Sequence, residues 1–337
     1  MLEWKHVYER SVVMTSQAVT NTKQALVKLR EQLRTGELYQ HLPEKIDQII
    51  NQLPHEKRTP VILPEDDAKA TTKLLTLSDQ IKNKEKRTIT DKDLEFMLAH
   101  LGSTNPTVRD RGVYFLFHDL IEMKILTTDQ LKHVLDRVLE PSMLYEHIME
   151  AQGNGAFLRS FSVMLLSLVL YADRTHYHFI ETAQLEEISL TITTYIVLET
   201  DCRGYAGNKG WVHAYSHIGN VLDELTASTK LSRADKIFYL AALVERYKHL
   251  NKPLVFGEDY RLAAVIANLV NKHKIYADYL TLLLHKWQQQ LMAQQPKADE
   301  VFWNRWYNRN RLLEALLIRG DLPDKLQQYI LRLADFY

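Results

Sequence analysis

Two histidines one helical turn apart, His213 and His217, follow a loop, RGYAGNKGW, in which Arg203 and Lys209 bracket Gly204, Gly207 and Gly210. Imidazoles at this spacing share one helix face, a stripe that Asn220 and Glu224 continue, so the pair are weak candidates for a divalent metal. Zinc would need a further ligand, and HAYSH lacks the glutamate of a metalloprotease helix, so no cofactor is expected. Either histidine could instead serve as a general base, oriented by a carboxylate such as Glu258 or Asp259. Arg203 and Lys209 would then clamp an anionic substrate. A helix expected to begin near Trp211 would also aim its free N–H groups at the loop, which suits a small anion. Against these readings stands a plainer one: a tight glycine turn whose Arg203 and Lys209 pair with internal carboxylates such as Glu199 and Asp201.

Other chemistry-bearing residues are less organised. His176 and His178 lie two apart in THYHF, which reads as a loop. Cys202 sits between Asp201, which would raise its pKa, and Arg203, which would lower it. Ser160, Ser162 and Ser216 lack a nucleophile-elbow context. In VFWNRWYNRNR, Val301–Arg311, aromatics alternate with arginines, and base stacking is physically possible. On a helix, however, Phe302, Trp303, Trp306 and Asn310 share one side, so burial of the tryptophans in a terminal cap is expected.

The elements that must position these residues are helices. With only 11 glycines and nine prolines in 337 residues, and apolar residues recurring at helical spacing, the chain reads as all-α. The expected architecture is an α-α superhelix of degenerate HEAT/armadillo-like helical pairs. NPTVRDRGVYFLF, with Val108, Arg109 and Gly112 ahead of an apolar run, is repeat-like in this sense. Residues 1–55 read as an N-terminal helical pair and 65–337 as the repeat domain, joined by the proline-rich PHEKRTPVILPEDD. One segment is ambiguous: LTITTYIVLET, Leu190–Thr200, fits a strand about as well as a helix.

Forty-two basic and 42 acidic residues balance, so no broad positive field favours nucleic acid or an anionic membrane. The run VMLLSLVLYA is half the length of a bilayer span and reads as a buried helix. A single cysteine and a charged start, MLEWKHVYERS, point to a reducing, cytoplasmic setting.

GAFLRSFSVMLLS, ETDCRGYAGNKGWVHAYSH and GEDYRLA, in that order, together with LGSTNPTVRD, resemble an uncharacterised family of bacterial proteins, domain of unknown function 2785. The resemblance covers roughly residues 65–310. It implies an all-helical protein and groups Arg159 and Ser160 with Glu199, Asp201, Arg203, Gly204, Tyr205, Lys209, Gly210, Trp211, His213, His217, Glu258, Asp259 and Arg261. Asn105 and Asn220 depart from it, standing where the family pattern carries aspartate, which weakens a self-sufficient metal site on the histidine helix.

Charged groups are costly to bury unpaired, so these segments should either line a solvated groove or form a closed network. The expected function is therefore a binding or scaffold module, in which Arg159, Asp201, Arg203, Tyr205, Lys209, Trp211 and Arg261 would contact a protein segment or an anionic small molecule. The alternative is a hydrolase or transferase acting on an anionic small molecule, possible metal assistance included.

Overall fold

The computed structural model describes the backbone of residues 2–150, 152–295 and 297–334, with side chains from residue 15 onward in the first helix. The charged start MLEWKHVYERS thus lies outside the described side chains. The chain forms two compact units that interleave along the sequence. One takes His55–Glu181 and Arg203–His217 with the segment ending at Gln17; the other takes Ala18–Pro54, Thr182–Cys202 and the chain from Ile218 on. Residues 1–55 are therefore shared between the units, and the stretch Glu199–His217 is divided after Cys202.

Helices α1 (Leu2–Arg34) and α2 (Leu42–Asn51) lead the chain. The first unit then contains α3 (Asp67–Lys82), α4 (Asp91–Ala99), a π-helical stretch Thr107–Tyr114 that runs into α5 (Phe115–Glu122), α6 (Thr128–Val138), α7 (Pro141–Leu144) and α8 (Gly155–Ala172). Local chemistry sets the boundaries. The Thr90 hydroxyl caps α4, and Thr127 with Gln130 forms a reciprocal capping box at α6. The π-helical stretch lies against α3 because Gly112 has no side chain there: a Cβ would stand 3.0 Å from the Leu74 Cβ. Leu74, Val108, Val113, Phe117, Leu131, Phe157, Phe161 and Leu165 are buried here.

The proline-rich connector has a fixed course. The Glu56 N–H donates to the Met149 carbonyl at 2.9 Å, and the Thr59 N–H to the Glu150 carboxylate at 2.9 Å. Around α8, one helix in the described residues, Gly155–Tyr177, is long and apolar enough to cross a membrane; 83% of its apolar window is buried inside the protein. The helical reading of VMLLSLVLYA holds.

The second unit adds α9 (Thr182–Leu198), the Ile218 end of α10 (Ala214–Ala227), α11 (Arg233–Lys248), α12 (Glu258–Val270), α13 (Lys274–Met292), α14 (Glu300–Arg319) and α15 (Asp324–Ala334). α9 settles the ambiguous segment as helix. Its β-branched residues are accommodated because the Thr193 and Thr194 hydroxyls donate to the Ser189 and Leu190 carbonyls, each at 2.9 Å, and every residue from Leu190 to Leu198 is buried. α11 packs against α2, α9 and α13; α12 packs against α13 and α14; α14 against α15. Arg30 Nε reaches the buried Asp235 at 2.7 Å, whose other oxygen holds Ser232 at the start of α11.

VFWNRWYNRNR is helical, in α14, but it does not bury its tryptophans as expected. Phe302 is buried, whereas Trp303 is 42% exposed and Tyr307 is exposed beside it. The indole lies a quarter-turn beyond the buried face that Phe302 and Asn308 define. No strand occurs among the described residues, and within each unit helices pack on neighbours in chain order, the order of stacked helical pairs in an α-α superhelix.

Candidate functional site

In the first unit, Arg203–His213 forms a small hairpin rather than the start of a helix. Tyr205 bridges antiparallel to Trp211; the Ala206 N–H donates to Gly210 O at 2.8 Å and the Val212 N–H to Gly204 O at 2.8 Å. The turn needs Gly207 at φ +60° and Gly210 at φ +71°, ψ −147°, the second a conformation open essentially to glycine alone. α10 begins only at Ala214, three residues later than expected, because His213 adopts φ +49° and ends the hairpin there.

The hairpin is held from below. Val212 packs on Ala156 and Phe157. The fully buried Arg109, from the π-helical stretch, donates Nη2–H to Lys209 O at 3.0 Å, Nη1–H to Ser103 O at 2.8 Å and Nε–H to Asp110 at 2.8 Å. Its guanidinium lies over the rings of Phe157 and Phe161, 4.6 and 4.7 Å from their centroids. A Cβ on Gly210 would stand 2.9 Å from the Pro106 Cβ, so the hairpin rests directly on the helix opening.

Three basic residues grouped by the family resemblance or the loop motif converge on one segment, Glu146–Asn154. Arg203 Nη2 donates to Gly153 O at 2.6 Å, Lys209 Nζ to the Asn154 side chain at 3.0 Å, and the buried Arg159 to Glu146 O at 3.1 Å. The first two contacts brace the hairpin on the segment that leads into α8, and the third ties α8 back to that segment. Asn154 and Gly153 carry no charge, and that is why charge pairing in the sequence does not point to them.

The histidines differ in setting. His217 is buried, its Nδ1–H donates to Ser160 O at 2.9 Å, and its ring stands edge-on to Phe161 at 5.1 Å. Burial pushes its pKa down to about 3, so the ring is neutral at ordinary pH. Burial lowers His213 too. The rings are 6.4 Å apart, and no group of three His, Cys, Asp or Glu side chains among the described residues is arranged to hold a metal. Instead, rings meet edge to face in an outward series: His213 to Trp211 at 4.2 Å, and Trp211 to Tyr205 at 4.8 Å, with Tyr205 51% and Trp211 39% exposed.

His147, at φ +51°, forms a second polar cluster in this unit. Its ring nitrogens meet Glu150 at 2.9 Å and Glu146 at 3.2 Å, and these two carboxylates raise its pKa to about 9 despite its burial. In the sequence this residue is marked only by EHIME, a histidine flanked by glutamates.

The remaining candidates belong to the second unit. Glu199 is buried and accepts from Tyr195 Oη at 2.7 Å and from the Thr200 and Asp201 N–H groups at 2.9 and 2.8 Å. Asp201 and Cys202 are buried beside it, and burial with the Asp201 charge pushes the thiol up to about 12. Glu258 accepts the Phe256 N–H at 2.9 Å and Asp259 the Tyr260 N–H at 3.0 Å; burial raises both. Arg261 donates to Asn220 at 2.6 Å and to Asp223 at 3.1 Å, its stem lying on Gly219. Asn220 is thus a partner for Arg261. His213 and His217 lie in the first unit, and the carboxylates Glu258 and Asp259 in the second.

A family described as Protein of unknown function (DUF2785) matches residues 144–318, a span that begins beside the bracing segment and includes the whole hairpin. No curated protein and no solved structure matches the chain.

Proposed function

The chain belongs to the DUF2785 family, and from that premise we propose that it is a noncatalytic binding module whose Arg203–His213 hairpin receives a protein segment. One observation carries the reading: Tyr205 and Trp211 stand exposed on a turn that Arg109, Arg203 and Lys209 fasten from beneath. Exposed aromatics on rigid backbone supply contact area at little entropic cost, the usual character of an interface hot spot. An anionic small molecule is less supported at this place, since Arg159, Arg203 and Lys209 already donate to Glu146 O, Gly153 O and Asn154.

The reading takes the helix pairs as degenerate HEAT-type repeats in a bacterial, cytoplasmic protein. The single thiol suits that setting, being buried and pushed to a pKa at which it stays inert. Nucleic acid and membrane are not among the proposed partners. In the hydrolase or transferase alternative, His213 or His217 is the base. The buried His217 supports it least, because its Nδ1–H is committed to Ser160 O and its basicity is largely lost.

Selection of peptides from a displayed random library against the full chain tests the proposal. Selected peptides should bind roughly tenfold or more weakly to Tyr205→Ala and Trp211→Ala proteins that melt like the parent. Peptides indifferent to both changes would place recognition elsewhere.

A further inference from the structure

The second unit contains a cavity of about 380 Å³ that the hairpin reading leaves unused. Its walls are the ends of α2, α11 and α13 and the first turns of α14. Trp287 and Phe302, both buried, with Leu291 make an apolar floor, and Asn51, Gln290 and Gln294 supply amides. The volume lies within the range of small-molecule sites.

The charged groups at its rim are not equivalent. Lys248 is committed to the buried Glu245, 2.5 Å away. His249 is committed to Asp47 at 2.7 Å. Asp299 caps α14 through the Phe302 N–H at 2.7 Å. Lys297 is exposed at the mouth, and Arg305 is the half-buried cation of the lining. Its Nε donates to the Asn251 side chain at 3.0 Å, which fixes the plane of the guanidinium, and among the described residues no carboxylate comes within ion-pair distance of it. Asp47 and Asp299 act on it only through space, while burial works against its charge. A half-buried guanidinium oriented at one edge, with its two terminal NH₂ groups left over, has the geometry for bidentate recognition of an oxyanion.

We propose that this cavity binds a small carboxylate with an aromatic or other apolar body, its carboxylate on the Arg305 terminal nitrogens and its body over Trp287 and Phe302. The site is independent of the hairpin, and its test does not involve Tyr205 or Trp211. Neutral amides around the walls would hold solvent or ligand polar groups without competing for the anion. Because Arg305 is already oriented by Asn251, little side-chain entropy is lost on binding.

Titration calorimetry of the full chain with benzoate as the probe tests this directly, with inorganic phosphate as the comparison anion. Saturable benzoate binding is expected, weakened roughly tenfold or more in Arg305→Gln and partly restored in Arg305→Lys. Leu291→Trp, which fills the cavity from its floor, should abolish binding while the protein still melts cooperatively. Absence of saturable binding, or benzoate affinity unchanged in Arg305→Gln, would overturn the proposal. Phosphate binding as tightly as benzoate would also overturn it, since the apolar floor would then contribute nothing.

Discussion

Arg109 Nη2 donates to the carbonyl of Lys209 across 100 residues of chain, at 3.0 Å, and so ties the hairpin to the helix that opens at Pro106. The guanidinium is fully buried, and each of its three nitrogens has a named acceptor. Arg109→Met removes the donors and leaves Asp110 and two carbonyls to be resatisfied. We expect a loss of about 3 kcal/mol in urea unfolding of the protein, with peptide binding by the hairpin weakened in parallel.

The two turn glycines should respond unequally. Gly207 has positive φ but open space around its Cβ position, whereas Gly210 combines positive φ, extended ψ and a Cβ position 2.9 Å from Pro106. Gly207→Ala should cost about 1 kcal/mol and Gly210→Ala at least about 2 kcal/mol, measured by denaturant midpoint. Equal costs would mean that the hairpin does not rest on Pro106.

The His147 cluster predicts a loss of stability on the alkaline side. Its folded pKa, about 9, lies above the ordinary 6.5, so the stabilisation is complete below 6.5 and disappears as pH rises through 9. Urea midpoints should therefore fall between pH 6.5 and 9, and His147→Gln should flatten that slope. The connector at Thr59, which shares Glu150 with His147, should become a site of protease cutting as the pH rises.

His217 acts in the opposite direction. Its folded pKa is depressed to about 3, so its contribution is complete above 6.5 and declines as pH falls toward 3, where the unfolded chain takes up a proton that the folded ring refuses. Nitrogen NMR of the imidazole at pH 5 should find it neutral with the proton on Nδ1. A charged ring at that pH would remove the burial argument.

Gly219 and Arg261 form a coupled pair in the second unit. A Cβ on Gly219 would stand 2.7 Å from the Arg261 Cγ, so Gly219→Ala should destabilise by about 1–2 kcal/mol. In an Arg261→Ala background the clash is gone and helix propensity remains, so the same change should stabilise by up to about 1 kcal/mol. A thermodynamic cycle from four melts checks the sign reversal.

Much of the local structure was legible in the residues themselves. Helical periodicity and the glycine turn at 204–210 are written in nearest-neighbour chemistry, and the structure has both. Family membership was legible too, because RGY and KGWVHAYSH are contiguous strings. By contrast, Leu190–Thr200 offered two periodicities at once. Only burial on every side, with threonine hydroxyls turned back onto the helix, selected one.

What the sequence by itself determined was the helical class, the positions of the turns and the inventory of polar side chains. Tertiary structure alone decided their partners. Arg203 and Lys209 found the uncharged Gly153 carbonyl and Asn154 amide some fifty residues away, Trp303 turned outward, and the chain parted after Cys202 into different units. The physical reason is that a helix face or a turn is fixed by neighbours within four residues, whereas a buried donor is satisfied by whichever acceptor packing delivers, and a carbonyl oxygen leaves no mark in the sequence.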